Sequence, residues 1–100
     1  LGPLKGLEVI DIGVGSGYFS KHLLKAGANV TGADVDEKFL NFVTEKFPAK
    51  DYPSFKTLKI DYDDPKMAKD FYDIAFTSNT YHHIENRVQY LEKVKLGLKK

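Results

Sequence analysis

The sequence of 100 residues contains no cysteine and no tryptophan, and it lacks a strong excess of charge of either sign. Without cysteine, disulfide bonds, thiolate-ligated zinc and thiol catalysis are excluded. Fifteen basic against 14 acidic residues leave a net charge of +1, too small for the single-sign field typical of proteins that bind nucleic acid or anionic membranes. No apolar run approaches the roughly 18 residues of a membrane span. We therefore expect neither a nucleic-acid partner nor a membrane span.

The composition is that of a folded domain. Hydrophobic residues make up 42% and charged residues 29% of the chain, enough apolar surface to bury a core. Because domains commonly contain about 100 to 150 residues, we predict one domain over residues 1–100. The chain begins at Leu1, shows no basic-then-apolar leader there, and is expected to be a trimmed piece of a longer protein.

Short apolar runs alternate with segments of helical periodicity. Strands are predicted at residues 7–12, 28–33, 55–60 and 72–77. The predicted helices carry Phe19, Leu23, Leu24 and Ala26 before a stop at Gly27; Phe39, Leu40, Val43 and Phe47 before Pro48; and Ile84, Val88, Leu91, Val94 and Leu98. Residues 61–70 are expected to form a loop with at most one short helix. Since parallel strands need crossover connections, the alternation predicts an α/β fold with helices on both faces of a parallel sheet.

The turn between the first strand and the first helix contains Gly13, Gly15 and Gly17. Missing side chains let backbone N–H groups approach a ligand closely, so a ligand edge is predicted here. The dinucleotide fingerprint G-x-G-x-x-G would need a glycine at the position of Tyr18. This spacing disfavours an NAD(P)-dependent oxidoreductase, which remains an alternative.

Two acidic residues lie within or directly after predicted strands. Asp34 follows the first of these glycines by 21 residues, at a place where a carboxylate can accept hydrogen bonds from both hydroxyls of a ribose. The competing role, capping the next helix, is assigned to Asp36. Asp11 lies inside the first strand, where a buried carboxylate is costly unless partnered. Two roles stay open for Asp11: contact with an amine of the ligand, or bracing of the Gly-rich turn through backbone N–H groups.

These segments resemble those of a known family, the class I S-adenosylmethionine (SAM) dependent methyltransferases. VIDIGVGSGYF at 9–19 resembles their first motif, and VTGADVD at 30–36 is similar to their second strand. IDY at 60–62 is similar to the segment that meets the adenine edge, and FYDIAFTS at 71–78 resembles the fourth strand. YHHI at 81–84 resembles a stretch found in the subgroup of quinone-biosynthesis and other small-molecule methyltransferases. The resemblance covers almost the whole chain but only the cofactor half of the family's domain.

The resemblance implies a Rossmann-like three-layer α/β/α fold with strand order 3-2-1-4, truncated before the family's fifth strand. It also implies SAM as cofactor, S-adenosylhomocysteine as product, a small-molecule methyl acceptor and a cytoplasmic location. Asp61 without the resemblance would be interpreted as part of a solvated acidic loop. The implied cofactor-binding residues are Asp11, Gly13, Val14, Gly15 and Gly17 around the methionine part, Asp34 at the ribose, Val35, Asp61 and Tyr62 at adenine, and Ser78 and Asn79 near the sulfonium.

No catalytic residue is assigned, because transfer from an activated sulfonium mainly requires alignment in a dry pocket. His82 and His83 are adjacent and lack a carboxylate at ligand spacing, so no metal site is predicted. His83 is kept as a candidate general base, beside the pocket-shaping role that this position has in the subgroup. A non-catalytic SAM-binding fragment or scaffold is the other open class. The fourth strand would lie at the sheet edge, which predicts self-association through it.

Overall fold

The computed structural model describes residues 4–77 and 87–99, which form four strands and three helices. In chain order the elements are β1 (Glu8–Ile12), α1 (Tyr18–Lys25), β2 (Asn29–Asp34), α2 (Glu37–Lys46), β3 (Phe55–Lys59), β4 (Ile74–Thr77) and α3 (Arg87–Gly97). The predicted alternation of strand and helix is therefore confirmed, and the segment from β3 to β4 is a loop without a helix.

The four strands form one parallel sheet in the order β3-β2-β1-β4, which confirms the predicted order. β1 is central, and its Asp11 lies opposite Gly32 of β2 and Phe76 of β4. β3 is an edge strand with exposed Lys56 and Lys59, as the sequence indicated. The chain leaves β1 toward β2 on one side and places β4 on the other, and in such sheets ligands bind at the carboxyl ends of the strands where the order reverses.

Side chains on β1 alternate between two hydrophobic clusters, because successive residues of a strand point to opposite faces. Val9 packs in a cluster with Leu23 of α1 and Val43 of α2. The next residue, Ile10, belongs to a second cluster with Tyr90 and Val94 of α3. The helices thus cover both faces of the sheet, and the predicted three-layer fold is confirmed.

The segment just before β4 pairs with the residues that follow α3. The N–H of Tyr72 donates to the carbonyl of Gly97 at 2.9 Å, and the N–H of Lys99 donates to the carbonyl of Tyr72 at 2.8 Å. This pattern is a parallel bridge between Tyr72 and Leu98. The residues after α3 therefore lie beside Tyr72, two residues before β4 begins.

The buried face of α3 differs from the predicted one. Tyr90 and Val94 are buried, whereas Val88 and Leu91 are 69% and 43% exposed. The predicted stripe was correct at Val94 and at half-buried Leu98 but wrong at Val88 and Leu91, because Tyr90 fills the position that faces the sheet. Gly97 continues this face by packing against Met67 of the loop before β4, since a Cβ there would lie 2.6 Å from the Met67 Cβ. Ile84, also predicted in the stripe, lies outside the described residues.

The predicted helical stripes of α1 and α2 are correct only in part. Leu23, Leu40 and Val43 are buried as expected. Phe19 and Phe39, which were also predicted to face the core, are exposed. Each is one residue away from the buried face of its helix, where the buried positions are 20 and 23 in α1 and 40 and 43 in α2.

Gly17 permits a close approach between the start of α1 and the end of α2. Its φ is +83°, in the left-handed region, and a Cβ would lie 2.9 Å from Cε2 of Phe47 and 3.0 Å from Cγ1 of Val43. Both distances are shorter than ordinary contacts between carbon atoms. Packing therefore accounts for this glycine independently of any ligand.

Replacing Gly17 with alanine is expected to lower the free energy of unfolding by about 2–4 kcal/mol, the sum of left-handed strain and overpacking. Gly6→Ala is the matched control, because Gly6 has φ +79° and nothing within 4 Å of its would-be Cβ. We expect the free energy of unfolding of the control to fall by only about 1–2 kcal/mol, because the control adds strain without overpacking. Urea denaturation measures both. Equal losses would show that the contact with Phe47 does not require glycine.

Candidate functional site

The loop between β1 and α1 is tied to the carboxyl end of β2. The N–H groups of Gly13 and Val14 both donate to the carbonyl of Ala33, at 2.8 and 2.9 Å, and the N–H of Gly17 donates to the carbonyl of Val14 at 2.9 Å. The sequence predicted that such N–H groups face a ligand, but these three are bonded within the protein. A pyrophosphate would need several of them to be available.

Asp34 joins this loop to the end of β2. Its Oδ2 accepts a hydrogen bond from the N–H of Gly15 at 3.1 Å, and its Oδ1 accepts one from the N–H of Asp36 at 2.9 Å. Only 6% of Asp34 is exposed, and its carboxylate faces the Gly-rich loop. Each carboxylate oxygen has a second lone pair with which it can accept a further hydrogen bond. Asp36 caps α2 by accepting from the N–H of Lys38 at 2.9 Å, which confirms its predicted role.

Gly15 differs from Gly17 of the same loop because its surroundings are open. A Cβ on Gly15 would meet only the carbonyl oxygen of Gly13, at 3.9 Å, and its φ is +52°. Val14, by contrast, packs its side chain in the core, where its Cγ2 would lie 3.0 Å from a Cβ on Gly32. The loop thus has an uncovered surface at Gly15, and Val14 can reach a ligand there only through its backbone.

Asp11 lies beneath the loop and is 1% exposed. Its Oδ2 accepts a hydrogen bond from the Ser20 hydroxyl of α1 at 2.8 Å, while its Oδ1 has no hydrogen-bond partner among the described residues. Burial raises the pKa of Asp11, the Ser20 hydrogen bond opposes this, and the negative charge of Asp34 raises the pKa further. No backbone N–H of the described residues donates to Asp11, so the predicted bracing of the loop through such groups is not seen.

Ser20 is a site residue that the sequence analysis missed. A signal for it does exist, because Ser20 lies three residues before Leu23 and therefore on the same, buried face of α1. A polar residue within a buried helical stripe needs a hydrogen-bond partner, and here that partner is Asp11.

The carboxyl end of β3 brings two more predicted residues to the same edge of the sheet. The N–H of Ile60 donates to the carbonyl of Asp34 at 3.1 Å, so Asp61 and Tyr62 follow directly beside the end of β2. Tyr62 is 66% exposed, and Asp61 forms an exposed ion pair with Lys66 at 3.4 Å. These side chains lie at the solvent-facing rim. Val35 is half-buried and packs against the cluster beneath α3.

Four predicted residues lie outside the part of the chain that the structure describes: Ser78, Asn79, His82 and His83. Within residues 4–77 and 87–99, no group of three or more acidic or histidine side chains could hold a metal ion. None of the helices in this part is long and apolar enough to cross a membrane.

A groove of about 250 Å³ opens at the opposite edge of the sheet. Glu8, Asn29 and Phe55 line it, and all three are first residues of strands. Ligands of open α/β sheets bind at the carboxyl ends of strands instead, so this groove is separate from the site around Gly15 and Asp34.

Comparison with known proteins identifies the family of the chain. The methyltransferase domain family matches residues 10–100. A ubiquinone biosynthesis O-methyltransferase of Pelagibacter ubique (strain HTCC1062) is 33% identical over 102 residues, which cover 98% of this chain and 40% of that protein. A tRNA U34 carboxymethyltransferase of Hahella chejuensis (strain KCTC 2396) is 33% identical over 101 residues, covering 99% of this chain and 31% of that protein.

A solved structure shows the same arrangement of elements. The crystal structure of an S-adenosylmethionine dependent methyltransferase from Mesorhizobium loti superimposes with a TM-score of 0.88 at 27% identity, covering 99% of this chain and 45% of that chain. The chain thus spans less than half the length of each of these three relatives. Because the family match extends from the middle of β1 to the last residue, the chain belongs to the family of methyltransferase domains, as its motifs predicted.

Proposed function

We propose that the chain is the cofactor-binding part of a class I SAM-dependent methyltransferase that acts on a small-molecule acceptor. The observation that carries the proposal is the hydrogen bond from the Gly15 N–H to the Asp34 carboxylate, which sets an acid beside an open glycine at the carboxyl ends of β1 and β2. A nucleoside ligand needs an acid of this kind for its ribose hydroxyls and an uncovered backbone surface beside it.

Two features of the chain fit SAM independently of the family. The open position at Gly15 is a cradle that a Cβ would fill. The buried Oδ1 of Asp11, unpartnered among the described residues, can accept a hydrogen bond from the ammonium group of the methionine part. Further contacts are proposed for Gly13, Val14 and Gly17 at the methionine part, Asp34 at the ribose, Val35, Asp61 and Tyr62 at adenine, and Ser78 and Asn79 near the sulfonium.

The charges of the site favour a cationic ligand over a dinucleotide. Burial and the charge of Asp34 both raise the pKa of Asp11, which means that the two carboxylates repel each other. A ligand with an ammonium and a sulfonium would relieve this repulsion, whereas a pyrophosphate would add to it. The N–H groups of Gly13, Val14 and Gly15 are also already bonded within the protein. An NAD(P)-dependent oxidoreductase is the less consistent alternative on both grounds.

When bound, SAM supplies a methyl group that is already activated on its sulfonium. The residues of this chain would then have to bind and orient the cofactor and keep water away from it, which needs no dedicated base. His83 stays a candidate base that the described residues do not test. The alternative of a non-catalytic SAM-binding module remains open because the chain spans less than half of its relatives.

The small-molecule acceptor is proposed on the likeness to the ubiquinone biosynthesis O-methyltransferase. The equally similar tRNA carboxymethyltransferase shows that this cofactor half occurs with a different acceptor. The absence of a nucleic-acid partner, the cytoplasmic location, the single domain over residues 1–100 and self-association through β4 therefore stay predictions. Sequence outside the chain would supply most of the acceptor pocket.

Replacing Asp34 with asparagine is expected to weaken the binding of S-adenosylhomocysteine by about 1–3 kcal/mol, because a charged acceptor for the ribose is lost. Asp36→Asn is the matched control, since asparagine also caps helices well and the hydrogen bond of the Asp36 side chain is the cap bond to the N–H of Lys38. Isothermal titration calorimetry measures both variants. Loss of binding in the control alone would contradict the proposed site, and titration with NADH in place of S-adenosylhomocysteine tests the oxidoreductase alternative.

Replacing Gly15 with alanine is expected to leave the protein folded but to weaken S-adenosylhomocysteine binding at least about tenfold, equivalent to about 1.4 kcal/mol. The new methyl group has free space in the protein itself but would occupy the surface proposed for the ligand. Gly6→Ala controls for the strain of a positive φ, and its affinity should stay at the wild-type value. Unchanged affinity in Gly15→Ala would exclude this surface as the binding site.

Replacing Asp11 with asparagine is expected to raise the free energy of unfolding by about 1 kcal/mol at neutral pH while it weakens S-adenosylhomocysteine binding. A carboxyl group whose pKa is raised by folding loses stability as the pH rises through the window between its unfolded and folded pKa. The stability advantage of Asp11→Asn should therefore vanish below about pH 4, where Asp11 is protonated in both states. Urea denaturation at several pH values measures this, and a variant that is less stable at neutral pH would contradict it.

A further inference from the structure

Ser20 is buried in α1, and nothing in the function proposed above uses it. Its side chain is inaccessible to solvent, and its hydroxyl donates to Oδ2 of Asp11 at 2.8 Å. The hydrogen bond connects α1 to β1 directly beneath the Gly-rich loop. A buried hydroxyl in this position acts on the one buried carboxylate that has an oxygen without a partner among the described residues.

The direction of the Ser20 hydroxyl is not the usual one for a serine in a helix. Such hydroxyls commonly donate to the carbonyl four residues earlier, which here belongs to Ser16. That carbonyl precedes the helix and accepts a hydrogen bond from Nζ of Lys46 at 3.0 Å. The Ser20 hydroxyl instead donates to Oδ2 of Asp11 and so restrains the orientation of its carboxylate.

Among the described residues around Asp11, Ser20 is the one whose hydrogen bond favours the charged form of its carboxyl group. In the sheet, Asp11 faces Gly32 on β2 and Phe76 on β4, neither of which carries a charge. From the end of β2, Asp34 contributes a negative charge that raises the pKa of Asp11, and burial raises it more strongly. The hydrogen bond from α1 acts in the opposite direction.

We propose that Ser20 is a positioning residue of the cofactor site, which holds Asp11 ionised by one carboxylate oxygen and leaves the other to accept from the cofactor's ammonium group, directly or through one water. This inference rests on the proposed function, because it assumes that the ligand carries an ammonium group. Ser20 itself does not touch the ligand. Its effect reaches the site through the charge and the orientation of Asp11.

The first test needs no ligand. Nuclear magnetic resonance of the Asp11 carboxyl carbon follows its protonation in the wild-type protein and in Ser20→Ala. We expect the titration midpoint to rise by about one pH unit in Ser20→Ala, since a hydrogen bond to the charged form is lost. Thr31→Val is the control, because it also removes a buried hydroxyl, one that has no partner among the described residues. Its midpoint should equal that of the wild type, and an unshifted midpoint in Ser20→Ala would overturn the proposal.

The second test compares two ligands that differ in the amino-acid part, which carries the ammonium group. S-adenosylhomocysteine carries the amino-acid part, and 5′-methylthioadenosine has the same nucleoside and a thioether but no amino acid. Calorimetry at a pH just above the wild-type midpoint should show that Ser20→Ala weakens the first ligand about fourfold, because a one-unit rise of the midpoint leaves most of Asp11 protonated there. The affinity for 5′-methylthioadenosine should change less than about twofold. Ser20→Thr, which keeps the hydroxyl, should retain most of the wild-type affinity for S-adenosylhomocysteine.

A double-mutant cycle tests whether Ser20 acts on the ligand through Asp11. In the Asp11→Asn background, Ser20→Ala should cause no further loss of S-adenosylhomocysteine affinity, because the group through which Ser20 acts is gone. Equal losses for the two ligands, or additive losses in the cycle, would show that Ser20 only supports the fold. Either result would overturn the proposed role of Ser20 and leave the proposed function intact. A wild-type protein that binds neither ligand would overturn the proposed function as well.

Discussion

The hydrogen bond between the Gly15 N–H and the Asp34 carboxylate is the contact on which the site depends. It joins the loop that follows β1 to the end of β2, and the same carboxylate holds the N–H of Asp36 at the start of α2. The parallel register of β1 and β2, with Ile12 beside Ala33, brings the two strand ends together. One side chain thus fixes the loop, the strand end and the beginning of the next helix, all within reach of a ligand at the carboxyl edge of the sheet.

The glycines of the loop have two different physical roles, although the sequence presents them as one motif. Gly17 lies where a side chain would collide with Phe47 and Val43, so its role in packing α1 against α2 is sufficient to require glycine. Gly15 has open space around it, and packing does not explain the missing side chain. Its φ of +52° favours glycine by itself, and the free space beside it is the surface proposed for the ligand, so the proposal rests more on Gly15 than on the number of glycines.

The parts of the fold that could be predicted from the sequence depend on local patterns. The four strands, the cap at Asp36 and the edge position of β3 follow from runs of apolar residues, turn residues and the need for crossovers, whereas the strand order was implied by the family resemblance. The buried face of α3 could not be predicted, because Tyr90 and Gly97 are explained only by what packs against them, the sheet and Met67. In the site, Asp34 was recognisable by its position after a strand. The link from Ser20 to Asp11 required the helix to be placed on the sheet.

The electrostatics of the site depend on which charges the fold places near the two buried acids. Lys46 lies next to the loop, but its Nζ donates a hydrogen bond to the carbonyl of Ser16 and lies over the rings of Phe42 and Phe47. Lys66 pairs with Asp61 at the rim. Among the described residues, the charge that acts on Asp11 is therefore that of Asp34, which has the same sign.

Such an arrangement destabilises the ligand-free protein, because a buried carboxylate without a cation keeps part of its desolvation cost. A cationic ligand would recover that free energy when it binds, and a neutral or anionic ligand would not. On the proposed function, the cost of burying the Asp11 carboxylate without a cation and a preference of the site for a positively charged ligand would have the same physical origin.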